Sequence, residues 1–378
     1  MKDNHKLNVA ILTCRQSAQR MNYYNALGRL CKLTVIAERK TPDTVVEEYN
    51  IRTENYKVVY LNGIPMFGYM AFCPGVIKKL KEDLYDIIIV EQYATPTAIL
   101  AISYMHRYKI PFIISADSGF PNRKENKLKY SFKKSIISKA DFWITGGKGG
   151  AQYLEYYGAD SDKTRIFKFS PYSYNDQPQH IPTYEEKKEK KIKLKMKESI
   201  VIISVGQQIH RKGFDILLRA VNDIGDDIGI YILGGAPNDE CQEILEVMSG
   251  TKIYFPGKVS KDKLKEYYTA ADIFVFPTRY DIWGYPVNEA MSYGLPIITT
   301  MQCNAGLELI ERGVNGYLVE AENINELQKY ILKLIENDKL RIQIGQNNYY
   351  KSKEYNSETM ANSIYSILLE YREIYEQV

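Results

Sequence analysis

Two carboxylates, Asp281 and Glu289, bracket the stretch of this sequence whose residue types could do the most definite chemistry. The run is Pro277-Thr278-Arg279-Tyr280-Asp281-Ile282-Trp283-Gly284-Tyr285-Pro286-Val287-Asn288-Glu289. It follows an apolar, strand-like segment. Pro286 suits a first helical turn, and Gly294 with Pro296 suits a stop. A helix N-terminus gathers backbone N–H groups and a partial positive charge, which favours anions. Gly284 lets the backbone come close to a ligand. A carboxylate is a poor neighbour for a diphosphate but a good acceptor for sugar or ribose hydroxyls. The plainer alternative is a helix with an acidic first turn and a solvated Glu289.

A second constellation lies upstream, where residues 200–205 run into Gly206-Gln207-Gln208-Ile209-His210-Arg211-Lys212-Gly213. A glycine turn with Arg211 and Lys212 at a strand's carboxyl end puts cations where phosphates bind. Alone, it could equally be a solvated basic loop, with His210 exposed. No Asp-x-Asp cluster resembling a metal site appears in the loops expected to face the cleft, and the five scattered cysteines lack zinc or disulfide spacing and fit a reducing cytoplasm. In the first half, Asp117 follows a strand-like run, where turn or N-cap aspartates are common. The loop after the first strand, from Thr13 to Arg20, carries Arg15 and Arg20 but no glycine.

The elements that must position these residues are read from hydrophobic patterning. Short apolar, β-branched runs occur at 8–13, 33–37, 58–61, 86–92, 112–117, 142–145 and 165–169. A second series follows at 200–205, 228–233, 252–255, 272–277, 296–300 and 316–319. Strand alternating with helix, twice over, predicts an α/β chain of two Rossmann-like, doubly wound domains facing each other across a cleft. The expected boundaries are 1–175, a charged linker at 176–198, a second domain at 199–355, and an amphipathic helix at 356–378 that packs back on the first domain. Hydrophobic residues make up 45% and charged residues 25%, with net charge +4, as in ordinary globular chains. No apolar stretch approaches the ~20 residues of a membrane span, and no signal peptide is expected. From Arg123 to Lys139, seven basic residues interleave with Leu128, Phe132, Ile136 and Ile137 against one acidic residue, Glu125. Such a segment reads as a membrane-surface helix or as a solvated basic face. Nucleic acid is excluded by the lack of a known module and of strong basicity.

The run from Asp281 to Glu289, with the following Ala-Met-x-x-Gly-x-Pro, resembles the E-x7-E motif of retaining GT-B-fold glycosyltransferases of family-4 type. The resemblance covers roughly residues 200–320. It implies that Asp281, in place of the commoner Glu, contacts the donor sugar, and that Glu289 binds the ribose. Residues 206–213 resemble the family's G-R-x-x-x-x-K-G loop. Lys212 matches its lysine, Gln207 stands where an arginine is usual, and Arg211 would substitute. Gly234 resembles the glycine turn near the nucleotide, and Val259 lies in the segment that meets the base. Asp117 falls where the family places a polar residue near the reaction centre. The resemblance therefore implies Asp117, Lys212 and Asp281 as catalytic. The donor would be bound by Gly206, Gln207, Arg211, Lys212, Gly234, Val259, Asp281, Ile282, Trp283, Gly284, Tyr285, Pro286 and Glu289. The implied activity is metal-independent, retaining sugar transfer from a nucleotide-diphosphate donor (a UDP- or GDP-sugar) to a saccharide or lipid-linked acceptor in surface polysaccharide assembly. No further cofactor is implied, and the expected location is cytoplasmic, peripheral at the inner face of the cell membrane. The competing readings are an isomerase or hydrolase of nucleotide sugars with the same fold, and a non-catalytic nucleotide-sugar-binding partner.

Overall fold

The computed structural model describes residues 6–40, 52–66, 68, 70–170 and 172–375. The expected first domain includes residues 1–5, 41–51, 67, 69 and 171, and the expected terminal helix includes 376–378; these lie outside the described residues. The chain divides into two compact units, residues 1–174 with 355–378, and residues 175–354.

The first unit is built on strands β1 (Asn8–Thr13), β2 (Lys32–Ala37), β3 (Lys57–Tyr60), β6 (Ile87–Glu91), β7 (Ile113–Ala116), β8 (Phe142–Thr145) and β9 (Thr164–Ile166). They form a parallel sheet of order β3-β2-β1-β6-β7-β8-β9. The central strands are apolar throughout because helices cover both faces. Ala10, Leu12, Ile88, Val90 and Ile114 bury one face against Ala98, Ala101, Ile102 and Met105 of helix Pro96–Arg107. That helix starts where Thr95 caps the Ala98 N–H and Pro96 supplies its fixed φ. A small antiparallel ladder, β4 (Ile64–Pro65) with β5 (Ala71–Phe72), follows β3. Its two-residue strands are too short for periodicity to reveal. Helix Ser357–Tyr375 belongs to this unit. It buries Ile364, Ile367, Leu368 and Tyr371, packs on helix Ala18–Leu30, and pairs Glu370 with Arg165 at 2.7 Å.

The basic stretch forms a helix only over Lys127–Ile137, capped by the Asn126 side chain on the Leu128 N–H. Lys133 turns inward, 2.9 Å from Glu125 and 3.2 Å from the Tyr157 hydroxyl. Leu128 and Phe132 are 79% and 52% exposed.

The second unit carries strands β10 (Ile200–Val205), β11 (Ile228–Leu233), β12 (Lys252–Gly257), β13 (Ile273–Phe276), β14 (Ile297–Thr300) and β15 (Gly316–Val319), parallel in the order β12-β11-β10-β13-β14-β15. Ile202, Ile230, Val275 and Ile298 pack against Phe214, Leu217, Leu327 and Ile331 from the covering helices. The charged stretch near residue 190 contains helix Tyr184–Lys193, begun by a Thr183/Glu186 capping box. Lys187 and Lys191 reach the Asp272 carboxylate at 3.3 and 2.8 Å, and Asp272 also accepts from the Val201 N–H. In each sheet the strand order reverses once, between β1 and β6 and between β10 and β13. The crevice beyond the carboxyl ends at such a reversal is where this fold binds ligands.

Candidate functional site

In the second unit, the two loops flagged by the sequence leave the two strands at the reversal. β10 ends at Gly206, whose N–H donates to the Leu233 carbonyl. The chain then makes a short 3-10 turn, His210–Lys212, and passes Gly213 at φ 69°. A Cβ at Gly213 would lie 2.1 Å from the Pro277 carbonyl oxygen, so only glycine lets the turn rest on the end of β13. Gly234, at φ 126°, approaches the Gly206 carbonyl just as closely.

This contact places two cations on one carboxylate. Lys212 Nζ and Arg211 both donate to Asp281 Oδ2, the Arg211 contact at 3.1 Å, and Arg211 also holds the Tyr280 carbonyl at 2.7 Å. Lys212 is buried and lies 4.8 Å from the centre of the Phe276 ring. Asp281 Oδ1 accepts no hydrogen bond among the described residues. The Asp281 backbone is fixed by its N–H on the Gln302 carbonyl.

Helix Tyr285–Ser292 opens from Gly284 at φ 103°, where a Cβ would strike Cys303 Sγ. Gly284 offers no side-chain cap, Pro286 has no N–H, and the Val287 N–H turns back to the Gly284 carbonyl. The first turn is therefore poorer in donors than an ordinary helix start, and the positive charge of the site comes chiefly from Lys212 and Arg211. Trp283 is buried, its indole N–H on Asn288 Oδ1 at 2.7 Å, which locks the approach to the helix. One turn into the helix, Glu289 accepts the Tyr268 hydroxyl at 2.6 Å. Gln207 is exposed, Val259 follows the end of β12, and His210 pairs with Glu240 at 3.0 Å.

Two features of this unit escaped the sequence reading. Arg279 forks onto buried Asp215 at 2.7 Å through two nitrogens, donates to the His210 carbonyl, and donates its backbone N–H to the Arg211 carbonyl. Burial alone would raise the Asp215 carboxyl. The Arg279 hydrogen bonds and the charges of Arg279 and Arg219 outweigh it and hold it below the usual range. Gln208 is the other, its side-chain amide buried against Gly235 without a hydrogen-bond partner among the described residues.

In the first unit, Asp117 is gripped by Arg20 through both carboxylate oxygens at 2.8 Å. Arg20 also meets Glu91, a buried carboxylate at the end of β6 that the sequence reading passed over. Glu91 accepts the Tyr24 hydroxyl at 2.6 Å, and burial raises its carboxyl although Arg20 opposes the shift. Arg20 and Asp117 thus meet at the reversal of this sheet; Arg15 leaves the same β1 loop.

A doubly wound pair of units with these loops at their reversals has the GT-B fold. Residues 185–351 match the family described as glycosyl transferases group 1. An uncharacterized glycosyltransferase of Methanocaldococcus jannaschii is 24% identical over 342 residues, covering 87% of this chain and 88% of that protein. The N,N'-diacetylbacillosaminyl-diphospho-undecaprenol alpha-1,3-N-acetylgalactosaminyltransferase of Campylobacter jejuni is 22% identical over 352 residues, covering 88% of this chain and 85% of that one. The crystal structure of Anabaena HepE in complex with UDP aligns with TM-score 0.75 at 17% identity, over 96% of this chain and 100% of that one. Residues 185–351 thus match the group 1 glycosyl transferases, and the chain is similar to glycosyltransferases over most of its length.

Proposed function

We propose that the chain transfers a sugar, with retention at the anomeric carbon, from a nucleotide-diphosphate donor held by the second unit to a saccharide acceptor. The observation that carries this is the convergence of Lys212 and Arg211 on Asp281 at the β10/β13 reversal, inside the family-matched segment. When the bond between the sugar and the diphosphate breaks, negative charge grows on the leaving phosphate. Fixed cations in a water-poor site stabilise that charge without reorganising. Asp281 spends Oδ2 on those cations and turns Oδ1 to the donor-sugar hydroxyls. Glu289, oriented by Tyr268, takes the ribose hydroxyls. Gly206, Gln207, Gly234, Val259 and the segment Ile282-Trp283-Gly284-Tyr285-Pro286 complete the donor site. The cations do the work a metal would otherwise do, so the reaction proceeds without one.

The donor is a UDP-sugar in this reading, in line with the UDP bound by the Anabaena neighbour. Asp117, fixed by Arg20, is the first unit's candidate for a part in the transfer. The Campylobacter relative's name specifies a diphospho-undecaprenol saccharide, which supports a lipid-linked acceptor in surface polysaccharide assembly. The exposed Leu128 and Phe132 among Lys127, Lys129 and Lys134 support attachment to the inner face of the cell membrane. No helix among the described residues is long and apolar enough to cross one.

A thermal-shift screen of nucleotide sugars, each repeated on Lys212→Ala, tests the reading, because a ligand of the folded form raises its melting temperature. One donor class should stabilise the wild type and lose most of that effect in the variant. Stabilisation by no nucleotide sugar would sink the proposal.

A further inference from the structure

Arg20, Tyr23 and Tyr24 stand three and four residues apart on helix Ala18–Leu30, so they share one face. That face meets Glu91, the last residue of β6. Tyr24 donates its hydroxyl to Glu91 Oε2 at 2.6 Å, Tyr23 donates to Oε1 at 3.4 Å, and Arg20 Nη1 pairs with Oε2. Arg20 Nη2 donates to both carboxylate oxygens of Asp117 at 2.8 Å. Asp117 follows the end of β7, whose Ser115 lies opposite Glu91 in the parallel register, and its carbonyl accepts the Gly146 N–H at 3.0 Å. The strands therefore hold the two carboxylates at a fixed separation, with the guanidinium between them. Exposure rises along this line, the side chains of Glu91, Arg20 and Asp117 being 2%, 14% and 29% exposed. The innermost group is a buried carboxylate, and the outermost is the one a substrate can reach.

An arginine paired only with a partly exposed carboxylate holds it weakly, because long side chains keep their freedom and water screens the charge. A buried carboxylate behind the arginine changes this. A charge away from water is costly unless it is paired. Burial pushes the Glu91 carboxyl up, and Arg20 opposes that shift. Glu91 fixes one terminal nitrogen of the planar guanidinium, and the rigid group then presents the other to Asp117. We infer that Glu91 is a positioning residue, which through Arg20 sets the direction of the Asp117 carboxylate for its part in sugar transfer. The part in transfer rests on the reading above; the anchoring of Asp117 does not.

Two measurements on the full chain separate positioning from mere support of the fold. With nitrogen-15 arginine, the Arg20 guanidinium protons, assigned by comparison with Arg20→Lys, should rotate and exchange slowly in the wild type and lose that protection in Glu91→Gln. In steady-state release of UDP from a panel of UDP-sugars, Glu91→Gln should lower kcat about tenfold and leave the donor KM within about twofold. Glu91→Gln/Asp117→Asn should be no slower than the slower single variant, as for groups that act as one unit. Tyr24→Phe keeps the Glu91 charge and should lower kcat less, and it serves if circular dichroism shows that Glu91→Gln fails to fold. Arg20 signals unchanged in the variant would overturn the inference. So would a melting temperature that falls while kcat holds, or single effects that multiply in the double variant. A wild type that turns over no nucleotide sugar would defeat the transfer reading, whereas loss of the Arg20 protection in Glu91→Gln would still uphold the anchoring of Asp117.

Discussion

In the proposed reading, Asp281 serves two neighbours of opposite demand. A carboxylate beside a diphosphate is repelled unless cations stand between them, and Lys212 with Arg211 take that place on Oδ2. The carboxylate is then oriented rather than free, which is what reading a sugar's hydroxyls requires. In the same reading Glu289 has a simpler task, and the Tyr268 hydroxyl helps to orient its carboxylate. Glu289→Ala should weaken binding of the bare nucleotide diphosphate by about 1–3 kcal/mol, since ribose hydroxyls would lose a charged acceptor. Calorimetric titration checks this, and unchanged affinity would remove Glu289 from the site. The sequence singled out Asp281, Glu289 and Lys212 by residue type and spacing, and the structure brings Lys212 onto Asp281. Glu91 and Gln208 were not legible there, because burial and the choice of partner depend on strands brought together from distant parts of the chain.

At the scale of elements, the 3-10 turn that carries Arg211 and Lys212 is held by the strand-end residue Arg279 and by Asp215 from the following helix. Arg279→Ala would leave buried Asp215 with Arg219 alone, on one oxygen, so it should cost about 1–3 kcal/mol of stability and lower turnover by displacing Lys212. Denaturant unfolding and a donor-turnover assay read the two effects. The Asp215 carboxyl is depressed in the fold, so its contribution is present above the unfolded value, about pH 4, and is lost as pH falls through the folded one. Wild type should lose melting temperature on acidification more steeply than Asp215→Asn, and parallel curves would contradict the pairing. Helix Lys127–Ile137 carries a different expectation. Replacing Lys127, Lys129 and Lys134 with Gln should weaken binding to anionic vesicles by about 1 kcal/mol per charge, whereas Lys133, engaged with Glu125, should matter for folding instead. Equal sedimentation of wild type and triple variant would exclude this helix from the membrane surface. The sequence showed the amphipathic charge pattern here, but not which lysine points inward, because a helical stripe leaves that choice to the packing partner.

For the whole molecule, the alternation of apolar runs with helical segments was enough to foresee two parallel, doubly wound sheets, because strands buried on both faces must be apolar throughout. The β4–β5 ladder was beyond reach, since two residues show no period. The return of helix Ser357–Tyr375 to the first unit follows from its buried stripe of Ile364, Ile367, Leu368 and Tyr371, which needs an apolar face to cover it. The central claim is that the second unit grips a nucleotide-sugar donor, with cations on the diphosphate and Asp281 on the sugar. The most direct measurement compares wild type with Asp281→Asn, which keeps the shape and loses the charge, for affinity toward the bare nucleotide diphosphate and for turnover of the intact donor. Charged hydrogen bonds are roughly twice as strong as neutral ones. The account predicts nearly unchanged nucleotide affinity with a sharp fall in donor turnover, and a variant that loses the bare nucleotide as strongly as it loses turnover would contradict it.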